Sequence, residues 1–368
     1  MRRLFTLILA AVAVVSLLVA GCSQAPPAPA TQAPKAAEPT KAAEPAKAAE
    51  PTKAAAPAQP TAAPAAKVDF PEKGKVITML VHWAAGGSSD VGARILAAGM
   101  EKELGTTVEV VNKAGAGGQI GYTALTEAKP DGYTIGSTNY PSAIITYLDP
   151  DRKASYSRKN FELLALHVVD PGIIAVKADS PYKSVKDVVE AAKANPKKIR
   201  ISTTGLQSDE HFAALQLQKM TGAQFAIVHF AEGIAKAKAA FLGGHVDVLF
   251  ANVGDAPSLM QGGDIRVLGV MDSEPSRFLP DVKTFEQQGY KLYNSSSRGF
   301  SAPAGTPKEI VDILSGAIKK VVATEEHQKK MADMGLTLRY MDPVQYKAYW
   351  DEYENMFREL LPLSKQKE

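Results

Sequence analysis

The 368-residue chain has a single cysteine, Cys22, so no intrachain disulfide can form and any core must hold by packing alone. Histidine is also scarce. The chain has 6, at His82, His167, His211, His229, His245 and His327, and none forms H-E-x-x-H or a close ligand pair, which argues against a zinc site. No G-x-S-x-G elbow is present to carry a serine nucleophile. Neither sign of charge dominates: 42 Lys and Arg stand against 39 Asp and Glu, a net charge of +3. Without a basic block interleaved with aromatics, nucleic acid is not an expected partner.

Long apolar runs are missing except at the start. Arg2 and Arg3 precede an apolar stretch over residues 4–20, followed by Val19-Ala20-Gly21-Cys22. The stretch is short for a membrane span and has the charged opening of an export signal. Its end resembles a bacterial lipobox, which implies cleavage after residue 21, lipid on Cys22 and an extracytoplasmic, membrane-anchored protein. Residues 23–67 are almost wholly Ala, Pro, Lys, Glu, Thr and Gln, with the six-residue unit KAAEPT recurring in variants from Lys35. Nothing there can be buried to offset chain entropy, so a disordered tether over residues 22–74 is expected. Its regular prolines keep it extended.

From residue 75 onward apolar runs of strand length alternate with helical periodicity. Strands are expected at 76–81, 107–111, 134–137, 161–169, 173–176, 199–203, 225–229, 246–251, 265–271 and 298–302. Helices are expected at 90–104, 118–128, 185–194, 209–221, 234–242, 308–323 and 343–361. This alternation predicts α/β architecture with open, mostly parallel sheets flanked by helices. In such sheets ligands sit outside the carboxyl ends of strands.

Two of those ends carry glycine-rich turns that open helices. The first holds Gly86, Gly87, Ser88, Ser89 and Asp90; the second holds Gly115, Gly117 and Gly118. Unpaired N–H groups and the helix dipole make such starts attractive to anions, and Ser88 or Ser89 is expected to cap the first helix. Capping alone does not need two consecutive glycines, so a binding loop is favoured for residues 86–90. The second turn fails the dinucleotide spacing, because Ile120 stands where the third glycine of G-x-G-x-x-G belongs, and it lacks the Lys of a P-loop. Thr203-Thr204-Gly205 and Asn252 lie at two further strand ends. His211 follows Ser208 and Asp209 at a helix start, which leaves an exported α/β enzyme open as an alternative. Arg298, in SSSRGF, suits either a structural role or a carboxylate clamp.

The chain from about residue 75 to residue 365 resembles the substrate-binding proteins of tripartite tricarboxylate transporters, the Bug-type extracytoplasmic solute receptors. The resemblance rests on an ordered set: AAGGSSDVGAR, VVNKAGAGGQIGYTAL, KPDGYTIG, SVKDVVEAAKANPKKIRIST, FLGGHVDVLFANV, DIRVLGVMDSEPSRFLPDVKTFEQQGY and RGFSAPAGTPKEIVDIL. It implies a two-lobed periplasmic-binding-protein clamshell of type II-like form, without catalysis or cofactor. One lobe would comprise 75–171 and 299–368, the other 172–298. It further implies a monomer that delivers a small organic anion to one large and one small membrane subunit. A ligand carboxylate would be held by Ala85, Gly86, Gly87, Ser88 and Ser89 on one lobe and by Thr203, Thr204, Gly205 and Ser208 on the other. Trp83 would supply an apolar wall, with Thr138, Asn139 and His211 lining the cleft. The family often has an acid where this chain has Asn252, which weakens the case for a ligand amino group, and Arg298 could meet a second carboxylate. A di- or tricarboxylate is therefore expected. A sensor feeding a signalling kinase is a further alternative.

Overall fold

The computed structural model describes residues 68–231 and 233–366. The export signal, Cys22 and residues 23–67 of the tether lie outside them. In chain order the elements are β1 (Ile77–Val81), α1 (Ser88–Leu104), β2 (Val108–Asn112), α2 (Gln119–Thr126), β3 (Thr134–Asn139), α3 (Ser142–Leu148) and β4 (Phe161–Lys177). There follow α4 (Val185–Ala194), β5 (Arg200–Thr203), α5 (Asp209–Thr221), β6 (Ala226–His229), α6 (Ile234–Leu242), β7 (Val248–Asn252), α7 (Ala256–Met260) and β8 (Ile265–Val270). The chain ends with β9 (Ser295–Pro303), α8 (Lys308–Val322), α9 (Glu325–Asp333), β10 (Leu338–Met341) and α10 (Pro343–Leu360).

The strands hydrogen-bond in the order β2-β1-β3-β9-β4-β7-β5-β6, with β8 and β10 also paired to β4. Two parallel triplets, β2-β1-β3 and β6-β5-β7, are the α/β units expected from the alternating pattern. They are joined by strands that run antiparallel, so the sheet as a whole is mixed. β4 is the strand common to both groups. Up to Pro171, which lies opposite Ser295, it pairs with β9; from Gly172, opposite Asn252, it pairs with β7 and β8. The sequence pattern breaks at Pro171-Gly172 and suggests two strands. One strand passes through because the proline, which has no N–H to donate, falls where β4 changes partners.

Helix ends follow local chemistry. Ser184 accepts the N–H of Asp187 in a capping box at α4, and Asp342 caps α10 with Pro343 at its first position. α10 places Tyr346, Trp350, Tyr353 and Phe357 on one face at helical spacing, and all four are buried. They pack with Tyr140, Phe161 and Phe212 in one core. Phe212 belongs to α5, so the C-terminal helix ties the second triplet's crossover to the first strand group.

Tyr346 is wedged beneath β9, where a Cβ built on Gly299 would sit 2.3 Å from its hydroxyl oxygen. Gly299 pairs with Thr138 on one side and Leu166 on the other, so neither backbone nor ring has room to retreat. Gly299→Ala is expected to lose roughly 1–3 kcal/mol of stability by overpacking. Urea unfolding of the variant should show the fall, and an unchanged midpoint would mean that the ring moves freely.

Candidate functional site

A cavity of about 520 Å³ opens at the carboxyl ends of β1, β3, β5 and β6. From the first strand group it is lined by Trp83, Ser88, Ser89, Gly117, residues 139–142 and Arg152, with Ser296 and Arg298 from β9. From the second group come residues 204–209 and Ala231. The first turns of α1 and α5 both face it, and their dipoles favour negative charge in the space between.

The first turn is held from within. Gly86 takes a positive φ of 84°, and its N–H donates to Asp90 Oδ2 at 2.8 Å. Asp90 also accepts from Arg94 Nε at 3.1 Å and Asn112 Nδ2 at 2.9 Å. Burial works against the charge on Asp90, but Arg94, the Gly86 N–H and Asn112 outweigh it and hold the carboxyl below its ordinary range. The helix cap is Gly87, with no side-chain bond, so the expected capping by Ser88 or Ser89 does not occur. Their hydroxyl oxygens instead accept from Arg298, Nη2 to Ser88 at 3.1 Å and Nε to Ser89 at 3.3 Å, and Asn139 Nδ2 donates to Ser89 at 2.8 Å.

Arg298 is the cation at the base of the site. Its side chain is 12% exposed and lies 3.8 Å from Asp170, itself buried where β4 changes partners. Burial pushes the Asp170 carboxyl up to about 6, against the pull of Arg298 and the Gly254 N–H. Arg298 Nη1, Asn139 Oδ1 and Trp83 Nε1 are buried atoms with no hydrogen-bond partner among the described residues. Trp83, expected as an apolar wall, lines the cavity and also carries this unpaired indole N–H. A second guanidinium, Arg152, lines the cavity and donates to Gln207 Oε1 at 3.1 Å.

Several expected residues stand elsewhere. Ala85, Gly86 and Gly87 shape the turn without lining the cavity. Thr138 points the other way, its hydroxyl 2.7 Å from Tyr346 and 3.2 Å from Ser301. Thr203 is buried with its hydroxyl 2.6 Å from His229 Nδ1. Asn252 lies behind the wall, donating to Asp209 Oδ2 at 2.8 Å and to the Asp170 carbonyl at 3.2 Å. His211 is buried beneath α5's first turn, where its Nδ1 accepts the Gln207 N–H at 2.9 Å and its own N–H donates to Ser208. Ser208 therefore serves as the helix cap, which is not the geometry of an activated nucleophile.

Thr204 and Ser208 do line the cavity, yet both hydroxyls bond Glu210, with Thr204 at 2.6 Å. The N–H groups of Gly205, Gln207 and Ser208 are also engaged within the protein. The second turn thus offers fewer free donors than its sequence suggests. Sequence reasoning missed Arg152, Gln207 and Asp209. Arg152 and Gln207 sit in no motif, and Asp209 reads as an ordinary first-turn acid. Among the described residues, no group of three or more His, Cys, Asp or Glu is placed to hold a metal ion, and no helix is long and apolar enough to cross a membrane.

The family described as "Tripartite tricarboxylate transporter family receptor" matches residues 92–361. The "UPF0065 protein in gbd 5'region" of Cupriavidus necator is 31% identical over 300 residues, which cover 79% of this chain and 87% of that one. A TctC solute-binding protein from Polaromonas superposes with a TM-score of 0.72 at 27% identity, covering 80% of this chain and 99% of the other. MatC of Rhodopseudomonas palustris, solved with bound malate, shares the fold at a TM-score of 0.62 and 24% identity, covering 77% and 98%.

The backbone around residue 86 yields a contrast. Gly86 needs its left-handed conformation, whereas Gly87 has φ −76° and a Cβ there would meet nothing nearer than 3.7 Å. Gly86→Ala is expected to cost about 1 kcal/mol or more, and Gly87→Ala less than about 0.5 kcal/mol. Chemical denaturation of the two variants side by side checks this; equal losses would contradict it.

Proposed function

This chain belongs to the tripartite tricarboxylate transporter receptor family, and from that premise we propose that it captures a small organic dicarboxylate or tricarboxylate outside the cytoplasm. It hands the ligand to membrane subunits of the transporter and performs no chemistry on it. In this reading residues 75–171 and 299–365 form one lobe and 172–298 the other. The ligand lies between them, and lid-like closure draws on binding energy. Lipid on Cys22 and the segment after it would hold the receptor at the membrane.

One observation carries the choice of ligand. Two guanidinium groups, Arg298 and Arg152, line a single cavity into which two helix N-termini also open. Among the described residues Arg298 Nη1 has no hydrogen-bond partner. A carboxylate meets an arginine in bidentate geometry that a neutral ligand cannot use. Two such groups in one cavity call for an anion at each end of the ligand. The cavity volume lies within the range that encloses small metabolites. The fold shared with malate-bound MatC agrees with a ligand of this size.

Succinate, malate, adipate and citrate, compared with acetate, butyrate and aspartate, test the reading by thermal shift. A ligand present at about 100 times its Kd stabilises the native state by roughly 2.7 kcal/mol, so binding raises Tm. The dianions and trianion should do so; acetate and butyrate, with one carboxylate each, and aspartate, whose ammonium cancels one of its two negative charges, should not. Arg152→Met is expected to weaken the best dicarboxylate by about 10–100-fold, the loss of one charge-assisted contact of roughly 1.5–3 kcal/mol. No stabilisation by any of these acids would remove the proposed ligand class.

A further inference from the structure

Resting on the carboxylate reading above, the geometry points to Asp209 as the residue that sets the protonation state of the bound complex. We propose that Asp209 meets a ligand carboxylate as a neutral carboxylic acid, donating its O–H, so that the receptor holds its ligand together with one proton.

Asp209 is 8% exposed, and the face it shows is the cavity wall. Oδ2 accepts from Asn252 Nδ2 at 2.8 Å, and no cation pairs with the carboxyl among the described residues. It lines the same cavity as Arg298. Asn252, which holds Asp209, also bonds the carbonyl of Asp170, and the Asp170 carboxyl lies 3.8 Å from Arg298. An anion held by Arg298 would therefore share one cavity with Asp209.

The charged groups around it are mostly of its own sign. Glu210 follows it on α5, Asp170 faces it from β4, and Asp255 stands just beyond β7, where its carboxylate accepts the Asn252 N–H at 3.0 Å. Arg298 on β9 and Arg152 across the cavity are the cations, while His211 and His229 lie behind the turn. Burial, then Glu210, raise the Asp209 carboxyl well above the ordinary carboxylate range, only partly offset by Asn252. The neighbouring hydroxyls of Thr204 and Ser208 are committed to Glu210, so this wall has few other donors for a ligand oxygen. Two ionised carboxylates in contact here would repel in a poorly solvated space, and one shared proton removes the conflict.

The proton balance is simple. The ligand carboxylate enters ionised; Asp209 Oδ1 carries the proton while Oδ2 keeps its bond to Asn252. Where Asp209 is ionised in the empty site, that proton comes from solvent. Affinity is then level at pH values where the empty site already holds the proton. It falls by up to tenfold per pH unit above that point, until the complex itself loses the proton.

Isothermal calorimetry on the purified full chain, with succinate, malate and adipate as probes, tests this from about pH 6.5 to about pH 9, where these probes are already dianions. Kd should rise with pH above the point at which the empty site gives up its proton, by up to tenfold per pH unit. Near the upper end of that pH range, titrations in phosphate and in Tris should differ in heat by the ionisation enthalpy of a proton taken up. Asp209→Asn reproduces both hydrogen bonds of the neutral acid and should bind without the slope, whereas Asp170→Asn should keep it. A level wild-type profile with equal affinity in Asp209→Asn means that the empty site already holds the proton and agrees with the proposal; a level profile with Asp209→Asn binding at least tenfold tighter overturns it. So does a slope that survives in Asp209→Asn or vanishes in Asp170→Asn, which would assign the proton to Asp170. Absence of binding by every probe removes the carboxylate reading itself, and this inference with it.

Discussion

Arg298 carries a permanent charge into the seam between two groups of strands, where water is scarce and only part of its hydrogen-bonding capacity is used. Removing a guanidinium from water costs several kcal/mol unless its donors and charge are met. Ser88 and Ser89 meet two of its nitrogens with neutral oxygens, and Asp170 stands 3.8 Å away. At an effective dielectric near 20, that separation returns about 4 kcal/mol, but Asp170 is itself buried and its carboxyl is pushed up to about 6. Near neutral pH that carboxyl is still mostly ionised, yet Arg298 Nη1 is buried with no hydrogen-bond partner among the described residues. The residue that makes the seam expensive is the one that makes an anionic guest stabilising.

The fold places that charge by a specific device. β9 lies between β3 and β4, so Arg298 stands opposite Asn139 on one side and Val168 on the other. Two residues beyond Val168 on β4 comes Asp170, and the next residue begins the handover to the second strand group. The parallel triplets then bring their carboxyl ends toward the same space, which is why the turns after β1, β3 and β5 all contribute to the cavity. The arginine, its acid and the crossing of the chain are one local arrangement. A change in how the two strand groups meet would alter the electrostatics of the site directly.

Much of this was legible from residues alone. The parallel triplets followed from alternating strand and helix periodicity, and α4, α5 and α6 agree with their expected limits because caps and glycines punctuate them. The elements that escaped notice, α3, α7, α9 and β10, are short or polar, and partners distant in sequence support them, such as β4 for β10. The first glycine-rich turn was readable as a loop at a strand end, where Ser88 and Ser89 line the cavity, but the capping expected of its serines does not occur. Which way a hydroxyl at a helix start points is decided by Arg298, roughly two hundred residues later. Thr138 and Asn252 were misplaced for a related reason: both end strands that reach the site, but strand parity turns one toward Tyr346 and a capping turn draws the other behind Asp209. Local pattern locates strand ends well; it does not say which face of an end meets the ligand.

The acids behind the cavity refine this electrostatic picture. Asp170, Asp209, Glu210 and Asp255 all have carboxyls raised above their ordinary range, in each case first by burial. Were all of them ionised, the field of the helix termini and of Arg298 would be largely cancelled and no anion would be drawn in. Were all neutral and open, any anion would do. What stands instead is graded. Glu210 is bonded to two hydroxyls, Asp170 is within reach of a guanidinium, and Asp209 faces the cavity held by the Asn252 amide and its own N–H. Selectivity in such a site does not come from the positive groups alone, since two arginines accept many anions. It comes from the acid that faces them, because an entering carboxylate must arrange a proton with Asp209 or stand clear of it. A neutral Asn252, where an ionised acid would add one more negative charge, keeps that arrangement within reach.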